Sequence, residues 1–455
     1  SIIAPLMDTG VVTVIKDRVE MLEPQGDQCS IITQSGETYI ADDVLLAIGH
    51  QPTRQDAQMK KWTEFTQRNS NLVLHAGVYP VSELTLAANK NGHKHVAIRG
   101  YGLSMIDAAR ALGELHGSFE ADVETGNYTY TPFETKLVMA PFSLDGMTMG
   151  PKPHTPRIDA QYAPPQSDLK ILAKALSNED SQKWATGCDW LIDRMVPTIA
   201  KVFESLKNPV SDRILSSTDY SKVLTNWLSD SDYSHESIMP NAVHPSVSLQ
   251  SFIDMAMDTT PIYLDYCAGQ VWRHCQMTIY ASLSHSKLSD DVMADIITLD
   301  ERLKRYSFGP PVASLKQLKA LYNAGALNLD VLSDPDITCD KEGWTLKSAG
   351  AEFTATTMID SVLDGPKLIE VISPLLASLL DKNFIQPVHD ELGVQTDEFG
   401  YVLSERSSKA ASIAILGRIA KGTVIGVDAI LECFGERPKT WADKAVKNMS
   451  HQLSN

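Results

Sequence analysis

The run His95-Val-Ala-Ile-Arg-Gly-Tyr-Gly-Leu-Ser-Met-Ile-Asp-Ala-Ala-Arg-Ala-Leu112 constrains the fold more than any other stretch of the chain. Val96 to Ile98 is a short apolar run suited to a buried strand. Gly100 and Gly102 predict a tight turn, and Ser104 is expected to cap a helix whose apolar stripe is Met105, Ile106, Ala109 and Leu112. Strand, glycine turn and helix together present bare backbone N–H groups and the positive end of a helix to a pyrophosphate. In that reading Gly100 supplies an unusual backbone angle and Gly102 removes a Cβ from the path of the phosphate, with Tyr101, Leu103 and Ser104 completing the contact. The third glycine of G-x-G-x-x-G is replaced by Met105, so the helix is expected to sit further out or to tilt. An ordinary strand–turn–helix with two turn glycines fits the same residues.

With 455 residues the chain has room for about two to four domains. Its formal charge of −17 disfavours nucleic acid or an anionic membrane surface as the main partner, because phosphates are repelled overall. A local pocket for one dinucleotide remains compatible with that charge. Cys29, Cys188, Cys267, Cys275, Cys339 and Cys433 form no CxxC pair and no zinc spacing, which suggests reduced thiols and a cytoplasmic setting. No apolar run approaches the roughly 18 to 20 residues of a membrane span, and no signal region opens the chain. No metal site is expected: His93 and His95 flank Lys94, but spacing places no third ligand beside them.

Taken in order, residues 1–10 read as the tail of a helix ending at Gly10, and Val11 to Ile15 as a β-branched strand. A meander follows through Arg18 to Leu22, Cys29 to Thr33 and Thr38 to Ala41. Val44 to Ile48 is continuously apolar, suiting a central parallel strand covered on both faces, and it runs out into Gly49 and His50. This meander and the segment Asp42-Asp-Val-Leu-Leu-Ala-Ile-Gly-His50, followed by Gly100-Tyr-Gly-Leu-Ser-Met-Ile-Asp107, resemble the two-dinucleotide flavoproteins. The similarity is to one group of bacterial FAD/NAD(P)-binding proteins, distantly similar to the flavin-dependent ornithine N-hydroxylases. It covers residues 1 to about 155 and about 350 to 440.

The resemblance implies an α/β fold: Rossmann-like three-layer dinucleotide-binding domains with a large helical insertion. The expected division is 1–55 with 405–455 as the remainder of an FAD-binding domain, 56–160 with 331–404 as the NAD(P)-binding domain, and 161–330 as the insertion. The implied cofactors are FAD and NAD(P). In this family the first FAD fingerprint precedes the meander, so the resemblance implies an N-terminal FAD-binding segment that is cleaved or omitted, that is a separate partner chain, or that this protein has lost. A late strand, Ser412-Ile-Ala-Ile-Leu-Gly417, and then Gly422 and Thr423, match the segment that returns to the flavin, with a helix expected over Val427 to Cys433. Thr357 to Pro366 resembles the second closing strand, with Ser361 to Leu363 replacing its usual core.

Further expectations concern individual segments. Residues 51–95 read as a polar linker with one helix around Asp56 to Thr66. Asp122 or Glu124, about 20 positions past the turn, is expected either to bind the ribose hydroxyls, favouring NAD, or to sit in a solvated turn. Val138 to Ser143, with Gly146 and Gly150-Pro-Lys-Pro153, resembles the family segment that passes near the nicotinamide, and the resemblance implies Ser143, Lys152 and His154 as polar candidates there. In the insertion, six segments show apolar residues at three-and-four spacing. There Asp265, Tyr266, Trp272, Arg273 and His274 form either a buried polar site or, as preferred, an amphipathic helix with snorkelling ends.

The function that follows is an FAD/NAD(P)-binding oxidoreductase, or the larger part of one, passing hydride to a flavin and thence to a small-molecule substrate the sequence does not name. No general acid or base is nominated, because the cofactors carry the chemistry. The alternative is a non-catalytic dinucleotide-binding or protein-interaction module with degenerate nucleotide sites.

Overall fold

The computed structural model describes residues 3–84, 95–133, 137–210, 217–404, 412–427 and 435–452. The chain forms two compact units. The first comprises Ser1–Arg54, Leu283–Ala294 and Asp364–Asn455; the second comprises Gln55–Ser282 and Asp295–Leu363. The stretch from Asp364 to 404 thus groups with the meander, whereas the sequence division assigned it to the NAD(P) domain. Strands are numbered along the chain. Among the described residues no helix is long and apolar enough to cross a membrane.

In the first unit β1 (Val19–Gln25), β2 (Gln28–Thr33) and β3 (Thr38–Ala41) form an antiparallel meander. It turns at Gly26, which takes a positive φ of 62°. β4 (Asp43–Leu46) pairs in parallel with β14 (Ser412–Ile415). Leu22, Cys29, Val44, Leu46, Ile413 and Ile415 meet the helix Pro374–Asp381 through Leu375, Leu376 and Leu379 in one buried cluster. Two expectations fail here. β4 is not covered on both faces: Val44 and Leu46 are buried while Asp43 and Leu45 are half-buried, and β14 is its one strand partner among the described residues. Val11 to Ile15 forms no strand, and Val11 is 72% exposed. β-branched residues favour a strand only when a neighbouring strand receives them.

The second unit is built on a four-stranded parallel sheet in the order β5 (Val73–His75), β13 (Thr357–Asp360), β6 (His95–Arg99), β9 (Val138–Phe142). Its strands are apolar on both faces, as burial on both sides requires. Ala97, Ala140, Phe142 and Met358 pack with Met59 and Trp62 of the helix Ala57–Gln67 and with Trp344, Leu346 and Phe353. The last three belong to an antiparallel sheet of β10 (Asp336–Asp340), β11 (Gly343–Ser348) and β12 (Ala351–Ala355). Val96 and Ile98, on the opposite face by alternation, are equally buried. The α/β class is as expected.

Asp56 caps the helix Ala57–Gln67 by accepting from the Met59 N–H at 2.8 Å, a contact of about 1 kcal/mol. The segment 51–95 is more than a linker, since it supplies β5, too short to leave a period in the sequence. His93 and Lys94 lie outside the described residues; His95 Nδ1 sits 3.1 Å from the Thr354 carbonyl.

All six helical segments of the insertion form helices, among them Asp189–Ser205, Leu264–Leu283 and Asp290–Ser307. The preferred snorkelling account of Leu264–Leu283 is wrong for three residues. Asp265, Tyr266 and Trp272 are fully buried: Tyr306 Oη donates to Asp265 Oδ2 at 2.8 Å, Tyr266 Oη to the Pro151 carbonyl at 2.8 Å, and Trp272 Nε1 to Asp300 Oδ1 at 2.8 Å. Only Arg273 and His274 reach outward, and both engage Asp159.

Candidate dinucleotide site

β6 delivers Arg99 to the carboxyl edge of the parallel sheet, where Gly100 turns the chain with φ +100°. The Gly100 N–H donates to the Phe142 carbonyl at 2.8 Å, and the Ser361 N–H and hydroxyl donate to the Arg99 carbonyl at 2.8 and 2.6 Å. A Cβ on Gly100 would stand 2.7 Å from Ser361 Oγ. The glycine therefore serves the left-handed angle and the close approach of β13, and Ser361 is the residue that fixes this approach. Gly102 differs: its φ is −110° and a Cβ there would meet nothing within 4 Å. That open space is what a ligand's phosphate needs.

The helix is Leu103–His116, and its N-cap is Gly102, not Ser104. Ser104 is the second helical residue and is buried, so it caps nothing. No side chain caps this helix among the described residues, which leaves its first-turn N–H groups and the positive end of its dipole available. Met105, Ile106, Ala109 and Leu112 are buried as their spacing implies; each large side chain contributes about 1.5–3 kcal/mol by leaving water. Tyr101 is turned into the core beside Thr148, and burial raises its phenol to about 12. Leu103 is 42% exposed at the helix mouth. Tyr79, missed in the sequence, donates to Asp107 Oδ2 at 2.7 Å over the first turns of the same helix.

A cavity of about 420 Å³ opens at this edge of the sheet. It is lined by Arg99 and Gly100 from the end of β6, Phe142, Ser143 and Asp145 from the end of β9, and Val362 following β13. Asp334 and Ile337 close another side. Arg99 is held by Asp56 and, at 3.2 Å, by Asp360. The volume falls in the range of small-molecule sites, and its place outside the carboxyl ends of parallel strands is where α/β sheets take ligands. Ser143 lines the cavity as a polar candidate; Lys152 and His154 do not.

The acidic candidates from the sequence are not there. The strand after the helix, β7 (Gly117–Ala121), leaves the parallel sheet to pair with β8 (Tyr128–Pro132) in an antiparallel hairpin. Asp122 and Glu124 sit in its turn, where Asp122 Oδ1 accepts the N–H groups of Glu124 and Thr125 at 2.8 and 3.1 Å. Counting from the glycines finds this turn because the hairpin interrupts the unit before its second parallel strand, β9.

In the first unit Gly49 and Gly417 follow β4 and β14, with φ of +64° and +88° and nothing within 4 Å of either Cβ position. His50, Thr53, Asp364 and Arg418 gather beside them: Thr53 donates to the Asp364 carboxylate and Arg418 Nη2 to the Asp364 carbonyl at 2.9 Å. Partial desolvation and then the Arg418 charge hold the His50 imidazole below its usual pKa. Gly422 and Thr423 are placed differently. A Cβ on Gly422 would meet Leu392 at 3.0 Å, and Thr423 Oγ1 accepts the Thr396 N–H at 3.2 Å. Both are engaged by the loop before β14. The helix expected over Val427 to Cys433 lies outside the described residues but for its first residue.

No protein-family model matches the chain, and no curated protein does. Among solved structures it is similar to the ornithine N-hydroxylase of Kutzneria sp. 744 with reduced FAD, NADP⁺ and L-ornithine, at 11% identity and a TM-score of 0.39 over 98% of this chain and 75% of that one. It is similar also to the FAD-bound cadaverine monooxygenase of desferrioxamine biosynthesis from Erwinia amylovora, at 10% identity and 0.38 over 94% and 67%. A third is OTEMO in complex with FAD and NADP, at 11% and 0.38 over 99% and 68%.

Proposed function

We propose that the chain is an FAD- and NAD(P)-binding oxidoreductase, or the larger part of one, with the dinucleotide of the second unit seated at the mouth of the helix Leu103–His116. The observation that carries this reading is the uncapped helix start at Gly102, open beside a cavity at the carboxyl edge of a parallel sheet. In it the backbone N–H groups of Leu103 and Ser104 hold the pyrophosphate, Gly100 shapes the turn, and Leu103 covers the mouth. In the first unit Gly49, His50 and Gly417 are the residues that would approach a flavin. A bound nicotinamide supplies hydride and a bound flavin accepts it; the chain's own residues bind, orient and exclude water.

Gly422 and Thr423 support a second reading, because their space and hydrogen bonding are used within the protein. In that reading the first unit holds no flavin and the chain is a dinucleotide-binding or interaction module. One experiment separates the two. The full chain is incubated with FAD, freed of excess by gel filtration, and mixed with NADH or NADPH without oxygen. The oxidoreductase reading expects a retained flavin spectrum that bleaches on adding the nicotinamide. A colourless protein that still binds NADH supports the dinucleotide-binding module; a protein that binds neither cofactor overturns the oxidoreductase reading and favours the interaction module.

A further inference from the structure

We propose that Asp145 is the residue that reads the adenosine ribose, and that the cavity it lines selects a dinucleotide with a free ribose diol (NAD) over one carrying a phosphate monoester there (NADP). This deepens the dinucleotide reading above and rests on it.

The argument starts from topology. In a strand–helix–strand nucleotide unit the acid that reads the ribose stands at the end of the second parallel strand, beside the glycine turn. Here the strand that follows the helix and lies parallel to β6 is β9, with Arg99 opposite Phe142 in register. The residues leaving β9 are Ser143, Leu144 and Asp145, and all three line the same cavity as Gly100. The hairpin β7–β8 separates them from the glycines in sequence but not in the sheet.

Asp145 is also held in place. Its Oδ1 accepts the Met147 N–H at 3.0 Å and lies 3.3 Å from Ser143 Oγ, while Oδ2 pairs with Arg305. A fixed carboxylate has acceptor capacity left for a diol. The charge around it argues in the same direction. The groups that line the cavity, with their ion-pair partners, are the carboxylates Asp56, Asp145, Asp334 and Asp360 against the guanidiniums Arg99 and Arg305. Both guanidiniums are already paired, Arg99 with two carboxylates. A dianionic phosphate monoester would enter a surplus of negative charge, whereas a neutral diol would meet acceptors.

The test is calorimetric titration of the full chain with NADH and with NADPH, for the wild type, Asp145→Asn and Asp334→Asn. The wild type is expected to bind NADH at least about tenfold more tightly, and each variant to narrow that ratio by improving NADPH binding. Asp334→Asn keeps the conclusion testable if Asp145→Asn fails to fold, since Asp334 has a positive φ that Asn adopts readily. A wild type that binds NADPH as tightly as NADH overturns the proposal, as does an unchanged ratio in a folded Asp145→Asn. NADH bound with no preference leaves the dinucleotide reading standing and removes only the role of Asp145; no binding of either nucleotide removes both.

Discussion

Gly100 and Gly102 look alike in the sequence and do different work in the structure. At Gly100 the backbone has φ +100° and a side chain would collide with Ser361, so this glycine belongs to folding. At Gly102 the backbone is extended and the surroundings are open, so this one is available to a ligand. Gly100→Ala is therefore expected to destabilise the second unit by about 1–3 kcal/mol, from the strained angle and the displaced serine. Thermal unfolding followed by circular dichroism measures it; an unchanged melting temperature would show that β13 does not press on the turn. Ser104 illustrates what residue type alone conceals. A serine beside a predicted helix start reads as a cap, but Gly102 already occupies the extended N-cap position and Ser104 falls one residue inside the helix.

At the scale of elements, the helices Leu264–Leu283 and Asp290–Ser307 meet where Gly269 leaves no room for a Cβ against Tyr306. Their contact is fixed by the buried Asp265, which accepts from Tyr306 Oη and from the Met239 N–H at 3.1 Å. Burial raises the Asp265 carboxyl above its usual value, with those two hydrogen bonds opposing the rise. A folded pKa raised above the unfolded one makes a contribution that is complete below the unfolded value and is lost as pH rises through the folded one. Asp265→Asn should therefore gain in melting temperature relative to the wild type as pH is raised through that interval. Asp265→Ala, which leaves two buried donors unpaired, should lose about 1–3 kcal/mol for each. A melting-temperature difference for Asp265→Asn that is flat with pH would contradict the raised carboxyl.

These helices were legible because long amphipathic segments carry a clear period. The polarity inside Leu264–Leu283 was not, since partners such as Met239 and Asp300 are distant in sequence. β5 was lost because three residues show no pattern. Val11 to Ile15 forms no strand because, among the described residues, no strand lies beside it, which composition cannot report. The site was half legible: the glycine turn could be read from local spacing, whereas Asp145, Asp334 and Val362 reach the cavity, and Ser361 the turn, only through tertiary packing.

On the scale of the whole molecule, two compact units each place glycines with open surroundings at the ends of parallel strands: Gly49 and Gly417 in one, Gly102 just beyond Gly100 in the other. In the proposed site phosphate would be received by backbone N–H groups more than by basic side chains, in keeping with the formal charge of −17. The most direct measurement is therefore calorimetric titration of the full chain with NADH, beside Gly102→Val, whose side chain has space within the protein but would fill the helix mouth. A dinucleotide seated there predicts saturable binding by the wild type and its loss in Gly102→Val at an unchanged melting temperature. No binding by the wild type, or binding that Gly102→Val leaves intact, would contradict it.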